Sequence, residues 1–182
     1  MREFLRRPRS AIVMAGAACL VVLAVLGVTV AASGSPGRRP EPLAKAFMLG
    51  QLGHAGQHVS LATYAGQPVI VNFFASWCTP CQQETPLLAR FYRGEHGKVA
   101  LVGLDENDVL HSAMSFTHAN GVTYPVGWDP ETIAASAYGV AALPQTFFLN
   151  AQHRVVKRMI QAVTLADLRR GVAVMTKPSG QG

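Results

Sequence analysis

The feature that most constrains this chain is a short apolar run that ends in a pair of cysteines. Residues 68–74, Pro-Val-Ile-Val-Asn-Phe-Phe, are rich in β-branched and aromatic side chains, the pattern of a buried central strand. Trp77-Cys78-Thr79-Pro80-Cys81 follows, and Gln82 to Arg93 then reads as a helix. A strand that runs into a helix places Cys78 at a helix N-terminus. There, unpaired N–H groups and the positive end of the dipole favour a thiolate over a thiol. The thiolate is the nucleophile, so Cys78 is the expected attacking residue. Cys81 lies one turn further on the same face. It is expected to be more buried and to resolve the mixed disulfide. Pro80 removes an N–H that the first turn leaves unpaired, and it presets φ for helix entry.

The chain has three cysteines, and the third, Cys19, lies in an N-terminal apolar run. Cys78 and Cys81 are too few and too close to form a structural disulfide framework. The competing reading is half of a zinc site, which needs a second pair of Cys or His ligands. His54 and His58, in a Gly-rich turn region, are the nearest pattern. A redox pair is the stronger reading, and no metal is expected.

Residues 11–32 carry no charge, and Thr29 is their only clearly polar side chain. As a helix they rise about 33 Å, enough for a bilayer core of roughly 30 Å. Arg2, Arg6, Arg7 and Arg9 precede the run against a single Glu3, a flank that stays on the cytoplasmic side. The expectation is a cytoplasmic basic segment over 1–10 and a single-pass transmembrane signal-anchor over 11–32, with the remainder outside the cytoplasm. A cleaved signal peptide competes, since Val30-Ala31-Ala32 resembles a small-residue cleavage site, but the apolar run is longer than a typical h-region. Lipidation at Cys19 has a poor flanking sequence, and Arg6-Arg7 lacks the surroundings of a twin-arginine signal.

Residues 33–42 are rich in Ser, Gly and Pro and read as a flexible linker. The net charge of +6 divides evenly: four Arg against one Glu in residues 1–32, and twelve Lys or Arg against nine Asp or Glu beyond. No basic run carries interleaved aromatics, so nucleic acid is not an expected partner.

Residues 46–49 and 58–61 flank a Gly-rich turn and read as a short hairpin. Lys98 to Leu104 is a second buried strand. Val109 to Asn120 is helical and ends at Gly121. A loop through Tyr124-Pro125 and Trp128-Asp129-Pro130 leads to a short helix, about Glu131 to Tyr138. Thr146 to Leu149 and Arg154 to Ile160 are strands joined by a tight turn, hence antiparallel. Thr164 and Asp167 have capping-box spacing and open a last helix to about Met175. Residues 176–182 read as a disordered tail. Alternating strands and helices imply an α/β layer structure with a mixed sheet.

The segment from Val69 to Pro86, with its WCxPC motif after an apolar strand, resembles the thioredoxin superfamily. It is most similar to the TlpA/ResA/CcmG (DsbE) branch of membrane-tethered bacterial thiol–disulfide oxidoreductases. The resemblance covers about residues 43–175. It implies a thioredoxin fold: a mixed central β-sheet flanked by helices, an N-terminal hairpin extension, a central αβ insertion over about residues 105–135 and a separate N-terminal transmembrane helix.

Asn72 stands where cytoplasmic thioredoxins carry a buried Asp. Glu84 matches the acidic residue this branch keeps three positions after the second Cys. The resemblance implies that it tunes thiol pKa or proton transfer; an exposed helix Glu is the alternative. Pro86 matches the kink proline of the active-site helix. Gly139 to Phe147 resembles the segment with a cis-proline beside the cysteines, which implies that Pro144 is cis and that the backbone of Leu143 pairs with substrate. Trp77 is expected either to form part of the substrate surface or only to pack. Phe116, Tyr124 and Trp128 are expected in the core, and Asp105-Glu106-Asn107-Asp108 in a solvated loop, with part of a substrate groove as the alternative.

The resemblance further implies exchange with protein thiols and disulfides and no cofactor beyond the redox-active pair. The Thr79-Pro80 dipeptide has no His, the residue of strongly oxidising Dsb-type pairs, and leans towards a reductant. The branch's usual substrate is the CxxCH pair of apocytochrome c in cytochrome c maturation, and an integral-membrane electron donor restores the thiols. An oxidant or general disulfide exchanger is the main alternative. A peroxiredoxin-type peroxidase needs P-x-x-x-[T/S]-x-x-C, and the residues seven and three before Cys78 are Val71 and Ala75. Copper delivery uses CxxxC with a separate His.

Overall fold

The structure, a computed structural model, describes residues 41–95 and 98–177. The expected membrane span over 11–32 lies outside them. Among the described residues no helix is long and apolar enough to cross a membrane.

The strands are β1 (Met48–Gln51), β2 (His58–Ser60), β3 (Val69–Phe74), β4 (Ala100–Glu106), β5 (Val126–Asp129), β6 (Gln145–Leu149) and β7 (Val155–Met159). The helices are α1 (Thr79–Glu95), α2 (Leu110–Ala119), α3 (Ile133–Tyr138) and α4 (Leu165–Met175), with a 3-10 turn at Leu61–Tyr64. One sheet holds the strands in the order β2-β1-β5-β4-β3-β6-β7. β3, β4 and β5 run parallel, while β6, β7 and the β1–β2 hairpin enter antiparallel. This is the mixed sheet with hairpin extension that the resemblance implies.

β3 is central and buried along its whole length. Its alternate residues serve two cores. Ile70 and Phe74 face a cluster with Leu88 and Phe91 of α1 and Leu168 and Met175 of α4. Val69, Val71 and Phe73 face a second cluster with Ala134, Ala135 and Tyr138 of α3. A strand covered on both faces needs an unbroken apolar run, which is why residues 69–74 read so clearly.

Two local expectations are corrected. α1 begins at Thr79 rather than Gln82, because the Gln82 N–H already closes an α-helical bond to the Cys78 carbonyl at 3.0 Å. Residues 126–129, read as loop, form β5 between β4 and β1. Four residues that include a glycine carry almost no strand signal. Gly127 packs closely there, since a Cβ would lie 3.0–3.1 Å from Leu104 and Leu49 side-chain atoms. The insertion between β4 and α3 is thus α2 plus β5.

The Thr164–Asp167 capping box forms: the Thr164 hydroxyl accepts from Asp167 N, and Asp167 Oδ2 accepts from Thr164 N. Those Thr164 bonds, with Arg170 beside them, hold the Asp167 carboxyl down to about 2. Glu41 and Pro42, assigned to the linker, lie against β7. The Glu41 carbonyl accepts from Arg154 Nη1 and the Pro42 carbonyl from Val155 N, each at 2.8 Å.

Candidate active site

Cys78 follows the turn that leaves β3 and is the residue before α1, so its carbonyl accepts the helix's first bond. Its Sγ accepts from Cys81 N at 3.2 Å, the place an N-cap oxygen takes in other helices. A sulfur so placed is stabilised when it carries negative charge. Cys78 and Cys81 form a disulfide. Cys78 is 4% exposed and Cys81 0%, the expected ordering. Pro86 lies inside α1, and Thr85 Oγ1 donates to the Cys81 carbonyl at 2.8 Å.

Glu84 stands one turn beyond Cys81 on the buried side of α1 and is 2% exposed, which excludes the exposed alternative. Asn72 Nδ2 donates to its Oε1 at 2.9 Å and Val163 N to its Oε2 at 2.7 Å. Burial outweighs these two donors and pushes the carboxyl up to about 7. It can therefore bind or release a proton near neutrality, close to a thiol pair that must do the same. Asn72 Nδ2 also donates to Thr146 Oγ1 at 3.1 Å, tying β3, β6 and α1 together.

The Leu143–Pro144 bond is cis. β6 runs antiparallel to β3 with Gln145 opposite Phe73, so Leu143 and Pro144 precede β6 beside the end of β3 from which the cysteine loop leaves. Pro144 is buried, and Leu143 is half-buried between the two clusters. Trp77 is 57% exposed, yet its Nε1 donates to the Asn107 carbonyl at 3.0 Å. The ring is held in place with its surface open. Tyr124 is in the core, and Phe116 and Trp128 pack partly buried against it.

The acidic segment after Leu104 is not a solvated loop. Asp105 is buried in β4, and Asp108 Oδ2 accepts from Ser76 N at 2.6 Å. Trp128 Nε1 donates to the Asp108 carbonyl at 3.3 Å. Thr146, which accepts from Asn72, and Val163, which donates to Glu84, carry no signal of these roles in the sequence. Only the strand pairing and the α4 approach bring them there. Among the described residues no group of three or more His, Cys, Asp or Glu stands together as a metal site.

The chain matches the AhpC/TSA family over residues 42–158. It is 31% identical over 110 residues to the thiol-disulfide oxidoreductase ResA of Bacillus subtilis, covering 60% of this chain and 62% of that one. Against the ResA of Geobacillus thermodenitrificans it is 28% identical over 163 residues, 87% and 92% of the two chains. The match to the first of these spans under two thirds of the relative's length. A crystal structure of a thiol:disulfide interchange protein of the thioredoxin family from Chlorobium tepidum superposes with a TM-score of 0.66 at 29% identity, over 76% of this chain and 97% of that one. Family match, fold and cysteine pair agree: the chain belongs to the AhpC/TSA family and has a thioredoxin-like fold, close to the ResA-type thiol–disulfide oxidoreductases.

Proposed function

We propose that this protein is a membrane-anchored thiol–disulfide oxidoreductase that reduces substrate disulfides outside the cytoplasm, with the CxxCH pair of apocytochrome c as its substrate class. The observation that carries the reading is the Cys78–Cys81 disulfide at the start of α1, with the buried Glu84 carboxyl one turn on.

The reduced protein begins with a Cys78 thiolate and a Cys81 thiol. Cys78 Sγ attacks one sulfur of the substrate disulfide. That S–S bond breaks, a mixed disulfide forms, and the other substrate sulfur leaves as a thiolate that takes a proton from water. Cys81 passes its proton to Glu84, and its thiolate attacks Cys78 Sγ. The second substrate sulfur leaves and takes up the proton that Glu84 holds. The substrate gains two electrons and two protons, and the Cys78–Cys81 disulfide remains. The open face of Trp77 and the backbone of Leu143, presented by the cis Pro144 behind it, form the surface on which the substrate chain lies. An integral-membrane donor returns the electrons, and the 11–32 segment keeps the domain beside it.

The reduction potential of the full-length protein, equilibrated with glutathione buffers, tests the direction. About 30 mV shifts a two-electron couple tenfold. A value below roughly −230 mV supports a reductant, and one near the ~−120 mV of a strong oxidant overturns that direction. Loss of covalent c-type cytochromes on gene deletion supports the substrate class, and normal levels count against it. Alkaline phosphatase fused after Gly182 should be active; an inactive fusion removes the proposed placement.

A further inference from the structure

A second buried acid lies at the same end of the sheet, and the exchange mechanism above does not use it. Asp105 is fully buried in β4, between Phe74 of β3 and Trp128 of β5 in the parallel register. It shares strand parity with Leu101 and Gly103. Leu101 belongs to the cluster that includes Cys78 and Cys81, and a Cβ on Gly103 would meet Phe74 and Tyr124. Asp105 therefore faces the α1 side of the sheet. Neither of its carboxyl oxygens meets a donor, which a buried carboxylate does not tolerate.

The group facing it is Asp108, whose oxygens are already engaged: Oδ2 accepts from Ser76 N and Oδ1 from Val109 N. Two carboxyls join by a hydrogen bond only when one carries a proton. Since Asp108 is occupied as an acceptor, Asp105 is the partner that carries it. Burial first, then the charge of Asp108, pushes the Asp105 carboxyl up to about 8. Its other charged neighbour is Glu106 on its own strand, which is in turn influenced by Asp129 of β5. β3 presents Phe74, and α1 brings the cysteine pair and Glu84 to the same cluster side. Among the described residues no cation acts on Asp105.

Asp108 also reaches the cysteine loop, because Ser76 is two residues before Cys78. Beside it, the Asn107 carbonyl holds Trp77 Nε1. We propose that Asp105 is a positioning residue for the exchange reaction. Its proton bridges it to Asp108; losing that proton weakens the Asp108 hold on Ser76 and adds a negative charge beside the loop that carries Cys78, disfavouring the thiolate.

Two measurements on the full-length chain test this. The first is a 13Cγ NMR titration of the oxidised protein, labelled at Asp and assigned through the backbone, from pH 5 to 9.5. The Asp105 signal should titrate near pH 8 and move to lower pH in Asp108→Asn, which removes the like charge. A flat Asp105 signal, or a midpoint unmoved in Asp108→Asn, overturns the proposal. The second is the alkylation rate of Cys78 in the reduced protein over the same range. Asp105→Asn keeps a donor towards Asp108 and cannot ionise. Its rate should match wild type at pH 6, and its profile should lose the wild-type departure from a single ionisation above pH 8. Superimposable profiles overturn the proposal, as does an Asp105→Asn rate already changed at pH 6, which marks a purely structural role. Should Asp105→Asn not fold, the wild-type alkylation profile decides: its departure from a single ionisation should share the midpoint of the Asp105 signal, and a profile that follows a single ionisation overturns the proposal. The inference rests on the exchange reading, whose own failure shows separately as a wild-type cysteine pair with no measurable potential and leaves the titration intact.

Discussion

Replacing Glu84 by Gln isolates the buried carboxyl beside the cysteines. Glu84 is buried with two donors, from Asn72 and Val163, and its carboxyl is raised from 4.5 to about 7, chiefly by burial. Between those two values the folded protein holds a proton that the unfolded chain has released. The stability this group contributes is therefore fully present below pH 4.5 and is lost as pH rises through about 7. At 1.36 kcal/mol per pH unit the gap amounts to about 3 kcal/mol. Gln is the isostere of the protonated acid. At pH 5, Glu84→Gln should lie within about 1 kcal/mol of wild type, the worth of one rearranged hydrogen bond. At pH 8.5 it should be more stable than wild type by about 2–3 kcal/mol. Urea unfolding of the oxidised full-length chain at both pH values measures this. Asp105 adds a pH dependence of the same sign, so the quantity to read is the difference between the variant and wild type. An equal loss of stability from pH 5 to 8.5 in both proteins would refute the reasoning, because it would mean that Glu84 is ionised throughout.

Two further substitutions probe the supports of the site. Asn72→Asp replaces the donor 2.9 Å from Glu84 Oε1 with an acceptor. It should destabilise the protein by about 3 kcal/mol at pH 8.5 and clearly less at pH 5, where one proton serves both carboxyls; equal losses at the two pH values would argue against a close pair. Gly171→Ala drives a Cβ into the ring of the fully buried Phe148. It should lower stability by about 1–3 kcal/mol and the melting temperature by several degrees, and an unchanged melt would contradict the close approach of α4 to β6.

What could be read along the chain was local. The strand 69–74, the cysteine pair at a helix start, the capping box at Thr164 and the antiparallel β6–β7 pair each depend on residues within a few positions of one another, so their signal survives in one dimension. The family likeness also pointed at Glu84 and at the cis Leu143–Pro144 bond, although it did not indicate that Glu84 is buried.

What only the tertiary structure decided are the partners that come from far along the chain. Glu84 is held by Asn72, twelve residues before it, and by Val163, seventy-nine after it. β5 takes its place through pairing with β4 and β1, where Gly127 packs closely against Leu104 and Leu49. Asp105 and Asp108 read as solvated because their charges are the only signal a sequence carries. Burial, which reverses the meaning of such a charge, is created by the strands and helices packed around it. A hydrogen-bonding side chain advertises its type in the sequence, but its partner and its protonation are set by what folding brings within about 3 Å.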